Sequence, residues 1–203
     1  MSEYVFDLIG GRLSLDFLNT VGGMRPDRPE EHLRQYGDLL RWARTAGLVE
    51  EKKFFFLRRR AEGEPRRGEK ALNEAIALRE ALYSVVFAGI RGELPQPDAL
   101  RFVNHWIARA QISRRLVATA KRFELQFEED DEDLLPFLAP VALDAQQLLT
   151  ADLSRVHLCD ESEVGRCGWL FLDETRNHSR RFCRMRDCGN RAKQRRFRKR
   201  ISS

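Results

Sequence analysis

Apolar residues recur along the first 150 residues at the three- and four-residue spacing of amphipathic helices. This pattern predicts helices over roughly 31–46, 50–61, 69–91, 98–111 and 136–150. Gly47 is placed to end the first of these helices, and Gly92 is placed to end the third. We interpret the apolar faces of all five as ordinary core.

Three stretches depart from the helical period. Residues 122–128 alternate between polar and apolar side chains, which predicts a half-buried strand, with residues 116–118 as its hairpin partner. Residues 13–21 fit both the helical and the strand period, so their structure stays open between the two. Residues 128–133 are six consecutive acids, which predicts an exposed loop.

The positive charge of the chain is concentrated in its last quarter. The sequence holds 36 Lys and Arg against 31 Asp and Glu, a formal net charge of +5. Residues 151–203 carry +7, whereas the preceding 150 residues carry −2. This asymmetry indicates a polyanionic partner, DNA or RNA in the first place. A solvated basic tail and a tail that binds acidic lipids are the alternatives.

Two absences set the expected compartment. No stretch approaches the 18 consecutive apolar residues that a bilayer span requires. The opening residues Met1–Asp7 lack the basic and apolar regions of a signal peptide. We therefore expect a cytoplasmic protein with no membrane partner.

All four cysteines fall within the last 45 residues, at Cys159, Cys167, Cys183 and Cys188. In a reducing cytoplasm, thiols clustered in two pairs indicate a tetrahedral metal site rather than disulfides. The second pair has the spacing of a zinc knuckle, C-x4-C, and the first pair is wider, C-x7-C. We expect one zinc ion per chain, with an iron–sulfur cluster as the alternative. His157 and His178 lie close by in the sequence, and we interpret both as surface histidines.

The cysteine-rich segment contains four further motifs: W-L-F-x-D at 169–173, S-R-R-x-C at 179–183, C-G-N-R at 188–191 and K-x-x-R at 193–196. On these motifs it closely resembles the CGNR zinc-finger family. The preceding residues resemble the ABATE domain of stress-induced transcription regulators, through L-x-L-D-F-x-N-T at 13–20 and D-L-L-x-W-x-x-x-x-G-L at 38–48. The resemblance implies a bacterial DNA-binding regulator whose zinc ligands are the four cysteines. The x7 gap after Cys159 departs from the closer spacing usual in the family.

The candidate contacts with nucleic acid are basic residues around and beyond the second cysteine pair. From Cys188 to about Arg200 the chain is predicted to be helical, and Phe197 and Ile201 are expected to pack inward. For Asn190 we favour a local bond to the backbone over contact with adenine. The predicted contact residues are Arg180, Arg181, Arg184, Arg191, Lys193, Arg195 and Arg198.

A second candidate site is a pocket for a small polar effector. Polar side chains interrupt an otherwise apolar stretch at Asp16 and Asn19, and polar groups in a half-buried stretch need partners. The pocket hypothesis joins them to Trp42 and Arg44 of the following helix. The alternative hypothesis is that Asp16 and Asn19 cap helices or satisfy buried backbone.

Together these features predict an α+β fold: a mainly helical body with a small antiparallel β element, then a small zinc-binding module ending in a basic helix. The expected domains are a sensing or dimerisation domain over 1–150 and a nucleic-acid-binding zinc finger over 151–203. We expect a homodimeric, DNA-binding transcription regulator, associated with the nucleoid when bound. An RNA-binding zinc knuckle and a protein-interaction zinc ribbon are the alternatives. The sequence holds no HExxH, GxSxG, P-loop or Rossmann motif, so we do not expect an enzyme.

Overall fold

The structure, a computed structural model, describes residues 4–128, 130 and 132–201. Within this part of the chain there are seven α-helices and six β-strands. In chain order they are α1 (Leu13–Leu18), β1 (Val21–Met24), β2 (Arg28–Glu31), α2 (Tyr36–Thr45), α3 (Glu51–Gly63), α4 (Pro65–Ile90), α5 (Pro97–Ile112), β3 (Arg114–Ala118), β4 (Phe123–Phe127), α6 (Leu138–Thr150), β5 (Val156–Leu158), β6 (Leu170–Leu172) and α7 (Asn190–Ile201).

The chain divides into two compact units. Residues 33–151 form the first, which we call the helical unit; it contains α2 to α6 with β3 and β4. The second, which we call the cysteine unit, combines residues 1–32 with residues 152–203. The N-terminal segment, which the sequence placed with the body, thus belongs to the same compact unit as the cysteines.

The helical unit confirms the five predicted helices. Asp38 accepts hydrogen bonds from the backbone N–H groups of Arg34 and Gln35 at 2.9 and 3.1 Å, which satisfies donors ahead of the first turn of α2. Pro65 begins α4, where its missing N–H costs no hydrogen bond. The core lies where α4 packs on α5 and α5 on α6, around fully buried side chains such as Trp106, Leu82 and Val141. No helix among the described residues combines the length and the apolar composition that crossing a membrane requires.

The predicted hairpin of the helical unit is also present, but its burial differs from the prediction. Strands β3 and β4 pair antiparallel, with Leu116 opposite Leu125 and Ala118 opposite Phe123. Leu116 and Ala118 are two residues apart, as are Phe123 and Leu125, so these four side chains lie on one face of the hairpin. Leu116, Phe123 and Leu125 are 67%, 71% and 57% exposed, so the strand predicted to be half-buried turns its apolar face to solvent.

The acidic run at 128–133 is described in part, because residues 129 and 131 lie outside the described residues. Glu132 forms ion pairs with Arg60 and Arg67 at 2.8 and 2.9 Å. Its nearby neighbour Asp133 pairs with Arg109 at 2.8 Å. Glu132 and Asp133 therefore neutralise arginines of the helical unit itself.

The cysteine unit is built from short elements. Residues 13–21, ambiguous by sequence, form the helix α1 over Leu13–Leu18 and enter strand β1 only at Val21, so the alternating positions Leu13, Leu15 and Phe17 are helical. Strands β1 and β2 pair antiparallel, and Gly23 has a φ of +68°, a conformation that favours glycine. Strands β5 and β6 form a second antiparallel pair, with His157 opposite Phe171.

Candidate metal centre and basic helix

The first cysteine pair is positioned by the β5–β6 hairpin. Cys159 follows β5 directly, and its backbone N–H donates to the Trp169 carbonyl at 2.9 Å. The chain then makes a 3-10 turn over Asp160–Val164 and leaves it through Gly165, whose φ is +66°. This turn occupies most of the x7 gap and brings Cys167 back beside Cys159. The wide spacing is therefore compatible with a knuckle.

The second pair is positioned by the approach to α7. Cys183 donates its backbone N–H to the sulfur of Cys159 at 3.5 Å, and Cys188 lies in a π-helical turn over Met185–Gly189. A Cβ on Gly189 would lie 2.5 Å from the Met185 sulfur, so a larger residue there would displace the exposed Met185 side chain. The backbone from the turn continues directly into α7.

The four sulfur atoms form a cluster suited to one metal ion. All four lie within 4.8 Å of one another, and all four residues are buried. The Cys167–Cys183 and Cys183–Cys188 sulfur distances are 3.7 and 3.6 Å. Four sulfurs at about 2.3 Å from a tetrahedral zinc ion lie about 3.8 Å apart, close to these two distances, so the cluster fits zinc. This cluster includes Cys159.

The thiols also influence one another's protonation. Hydrogen bonds from Cys167 and then from Cys183 and Cys188 hold the pKa of Cys159 well below its usual range, and the backbone N–H of Cys183 adds to this effect. The same hydrogen bonding raises the pKa of Cys183. A metal ion replaces the protons of all four thiols, since the thiolate is the ligand.

A small apolar core surrounds the cysteines. Phe171 is fully buried beside them, and Trp169 and Phe182 pack half-buried against the cluster. Ile9 of the N-terminal segment completes this layer, a contact that no sequence pattern predicted.

The N-terminal segment is joined to the β6 region by hydrogen bonds. The Asn19 side-chain amide donates to the Leu170 carbonyl at 2.8 Å and accepts from the Leu170 N–H at 3.0 Å. The Trp169 indole donates to the Val21 carbonyl at 2.8 Å. The backbone N–H of Leu172 donates to the Gly10 carbonyl at 2.7 Å. These bonds join residues about 150 positions apart.

Asp16 and Asn19 of the effector-pocket hypothesis therefore have backbone partners. Asp16 accepts from the Gly10 N–H at 2.7 Å, and both amide atoms of Asn19 are engaged with Leu170. In the helical unit, Trp42 is fully buried, and the guanidinium of Arg44 lies 4.5 Å from the centre of the Phe54 ring. The first pair thus matches the structural alternative, and a pocket lined by all four side chains stays a prediction.

Four of the predicted nucleic-acid contacts are engaged within the cysteine unit. Arg180 lies 4.2 Å over the Phe171 ring and donates to the carbonyls of Ile9, Phe182 and Cys183. Arg184 forms a two-bond ion pair with Asp7 at 2.6 and 2.8 Å. Arg181 and Arg195 are paired with Asp160 and Glu161, respectively.

Acidic residues hold these arginines and loops; Asp7 and Glu161 had no signal in the sequence pattern, whereas Asp173 ends the W-L-F-x-D motif. Asp7 and Glu161 bind Arg184 and Arg195, and Glu161 is fully buried. Asp173 accepts hydrogen bonds from Thr175 and from the Arg180 N–H. Burial raises the pKa of Asp173, but these hydrogen bonds outweigh the effect of burial and lower the pKa to about 2. Among so many basic residues, the sequence pattern does not distinguish a buried, paired acid from a solvated one.

The remaining predicted contacts lie on the surface of α7. Arg191, Lys193 and Arg198 are exposed there, together with other cations of the helix. Asn190 donates to the Arg186 carbonyl at 3.0 Å, the local bond that the sequence favoured. The expectation that Phe197 and Ile201 pack inward is wrong, because they are 64% and 70% exposed.

A cluster of four buried cysteines beside a basic helix defines a zinc-finger protein with one zinc ion, the ion that the sulfur geometry fits. The chain belongs to the ABATE family, described as "Putative stress-induced transcription regulator", whose model matches residues 11–152. A second model, the CGNR zinc finger, matches residues 155–201. Both agree with the family resemblance of the sequence. No curated protein matches the chain.

Proposed function

We propose that this protein is a DNA-binding transcription regulator in which α7 contacts duplex DNA. The observation that supports this most strongly is the set of cations on α7. Among the described residues, Arg191, Lys193, Arg196 and Arg200 have no acidic partner and are exposed. Unpaired cations on one helix are the means by which a protein neutralises phosphates.

The metal centre supports a structural role for zinc and no catalytic one. Four protein ligands close a zinc site, whereas a catalytic zinc keeps a position for water or substrate. When bound, zinc cross-links the β5–β6 hairpin to the turn before α7. The cluster therefore serves to present the helix, and we propose that the protein is not an enzyme.

Binding to labelled duplex DNA, measured by fluorescence anisotropy over a salt series, tests the proposal. If about five cations contact phosphates, log K falls with log salt at a slope of about −4 to −5. Replacing Lys193 and Arg200 by Gln should weaken binding and reduce that slope by about 2. The matched control replaces Lys52 and Arg59, two exposed cations of the helical unit, and should leave binding unchanged.

Two outcomes distinguish the alternatives. Tighter binding to single-stranded RNA than to duplex DNA at the same salt concentration would favour the RNA-binding function. Absence of binding to either nucleic acid by the zinc-loaded protein would favour a protein-interaction ribbon. DNA binding would also place the protein on the nucleoid in the cytoplasm, in keeping with the proposed function.

We further propose that the helical unit forms a homodimer through the apolar face of its hairpin. Two copies present two α7 helices, as reading two half-sites requires. Leu116, Phe123 and Leu125 are exposed on one face of a two-stranded sheet, and an isolated pair of strands gains stability when such a face is covered. A second copy brings an identical apolar face, which closes the assembly with two-fold symmetry.

Light scattering after size-exclusion chromatography tests the dimer. The wild type should have twice the mass of the chain, and replacing Phe123 and Leu125 by Ser should give a monomer. The control replaces Leu94 and Leu100, exposed apolar residues of the same unit, and should remain dimeric. A monomeric wild type would contradict the dimer and leave DNA binding by one chain unaffected.

A further inference from the structure

The rotation of α7 about its own axis is set by two contacts with the rest of the cysteine unit. Arg195 donates two hydrogen bonds to Glu161, at 3.0 and 2.6 Å, and Glu161 has no exposed surface. Ala192 is 5% exposed, and at about 100° per residue it lies on the same side of the helix. This side therefore faces the cysteine unit, and the opposite side faces solvent.

The solvent side carries a stripe without charge. Gln194, Phe197 and Ile201 follow one another at spacings of three and four residues, so they lie along one line of the helix surface. All three are exposed, and the Gln194 amide has no side-chain partner among the residues that the structure describes. We call these three residues the outer stripe.

Cations flank the outer stripe on both sides. At about 100° per residue, Arg191 and Arg198 lie on one side of it, and Lys193 and Arg200 lie on the other. A helix in the major groove has the phosphates of the two DNA strands on its two sides and base edges in front of it. The order of cation, neutral residue and cation around α7 matches the order of phosphate, base edge and phosphate across the groove.

From this arrangement we propose that the outer stripe reads base pairs in the major groove, with Gln194 bound to adenine. A glutamine amide pairs with adenine N6 and N7, and aromatic or aliphatic side chains contact the thymine methyl group. The DNA site therefore contains A·T pairs opposite Gln194 and Phe197. This inference rests on the proposed DNA binding and adds its sequence preference.

Selection from a library of random duplex DNA by the full-length, zinc-loaded protein tests the inference. The wild type should enrich sites with A·T pairs at defined positions. Gln194→Ala should lose the preference at one of them by about 5- to 150-fold, while binding to unselected duplex DNA stays within twofold. Phe197→Ala should lose preference at a neighbouring A·T position.

Lys193→Gln is the matched control on the same helix. It should weaken binding to all sequences by a similar factor and lower the salt slope by about 1, without changing the selected motif. Zinc content and far-UV circular dichroism of each variant establish that it is folded.

The failures of the two proposals are distinguishable. A Gln194→Ala variant that selects the wild-type motif overturns the role of the outer stripe while DNA binding stands. Loss of dimer mass in Phe197→Ala, without a change in motif, assigns the stripe to protein contact and also overturns it. A wild type that binds no duplex DNA overturns the proposed function itself.

Discussion

Single side chains connect the N-terminal segment to the cysteine region, and Asn19 is the clearest case. Its amide satisfies both backbone groups of Leu170, which has no exposed surface. A buried N–H or carbonyl that loses its partner costs the full price of its desolvation. The hydrogen-bonding of β6 therefore depends on a residue about 150 positions away in the sequence.

We expect Asn19→Ala to lower the free energy of unfolding by about 2–3 kcal/mol. The change removes two hydrogen bonds and leaves two buried polar groups without partners. Chemical denaturation of the zinc-loaded protein, followed by circular dichroism, measures the loss. Asn177→Ala is the control, because Asn177 is exposed in the same unit. Equal stability of the two variants would contradict the structural role of Asn19 and would favour the effector-pocket hypothesis.

Arg180 shows a second long-range dependence. Its guanidinium covers Phe171 and joins the carbonyls of Ile9, Phe182 and Cys183, so it holds the backbone that carries one metal ligand. Residues that orient metal ligands typically change metal affinity by 10- to 100-fold when they are removed.

Arg180→Ala should therefore weaken zinc binding by about 10- to 100-fold, which competition with a chromogenic chelator measures. The exposed Arg176, replaced in the same way, should leave zinc affinity unchanged. If Arg180→Ala instead keeps its zinc affinity and loses only DNA binding, the residue is a nucleic-acid contact as its charge first indicated.

At the scale of single residues, the sequence does not predict the direction in which a side chain points. The identities of Arg180 and Arg195 indicate a positive charge. The direction of each side chain depends on acids and carbonyls far away in the chain. Phe197 illustrates the same limit in reverse, because apolar character predicts burial and the helix rotation fixed by Glu161 turns it outward.

Among the elements, the β1–β2 hairpin has the tightest steric requirement. A Cβ on Gly23 would lie 2.0 Å from the Arg28 carbonyl oxygen, and the φ of +68° is unfavourable for other residues. The Gly23 carbonyl also accepts the Gly168 N–H at 2.6 Å, next to the ligand Cys167. The conformation of this turn is thus linked to the backbone beside the metal centre.

Gly23→Ala should consequently destabilise the cysteine unit by about 1–3 kcal/mol. Gly37→Ala, in α2, should be neutral or stabilising by up to about 1 kcal/mol, because a Cβ there meets no atom within 4 Å. Thermal unfolding of both variants checks this pair. A Gly23→Ala protein as stable as the wild type would show that the turn adapts at no cost.

The elements themselves were largely predictable. Helices α2 to α6 have strong periodic patterns, and the β3–β4 alternation identified the strand. The same alternation failed for burial, because it shows which side chains share a face and not what covers that face. The short elements α1, β5 and β6 span at most six residues, too few for a period to be resolved.

At the scale of the whole molecule, the metal affects residues that are distant in the sequence from its ligands. The four cysteines lie within residues 159–188, yet residues 9–23 share their core and hydrogen bonds. Binding of a metal ion at such a cluster contributes free energy to the folding of the residues packed around it. The N-terminal segment should therefore depend on zinc as the C-terminal segment does.

Hydrogen exchange of the full chain with and without a chelator tests this dependence. Zinc removal should expose the amides of residues 10–24 and 156–190 together, while the amides of α4 to α6 keep their protection. Continued protection of residues 10–24 in the zinc-free protein would contradict it. The cysteine pattern alone predicts exposure only of the last fifty residues, so the experiment separates the two.

The division of the cysteine unit between both ends of the chain has a consequence for biosynthesis. The N-terminal segment leaves the ribosome before the 33–151 unit, and its partners follow only after that unit. At about 5–20 residues per second, translating that stretch takes roughly 6–24 s, during which Leu15, Phe17 and Leu18 have no native cover from the later segment. A nascent chain halted before Cys159 possesses none of the four ligands. Acquisition of zinc thus marks a molecule translated past Cys188, and a product that ends earlier retains an uncovered apolar segment that chaperones and proteases recognise.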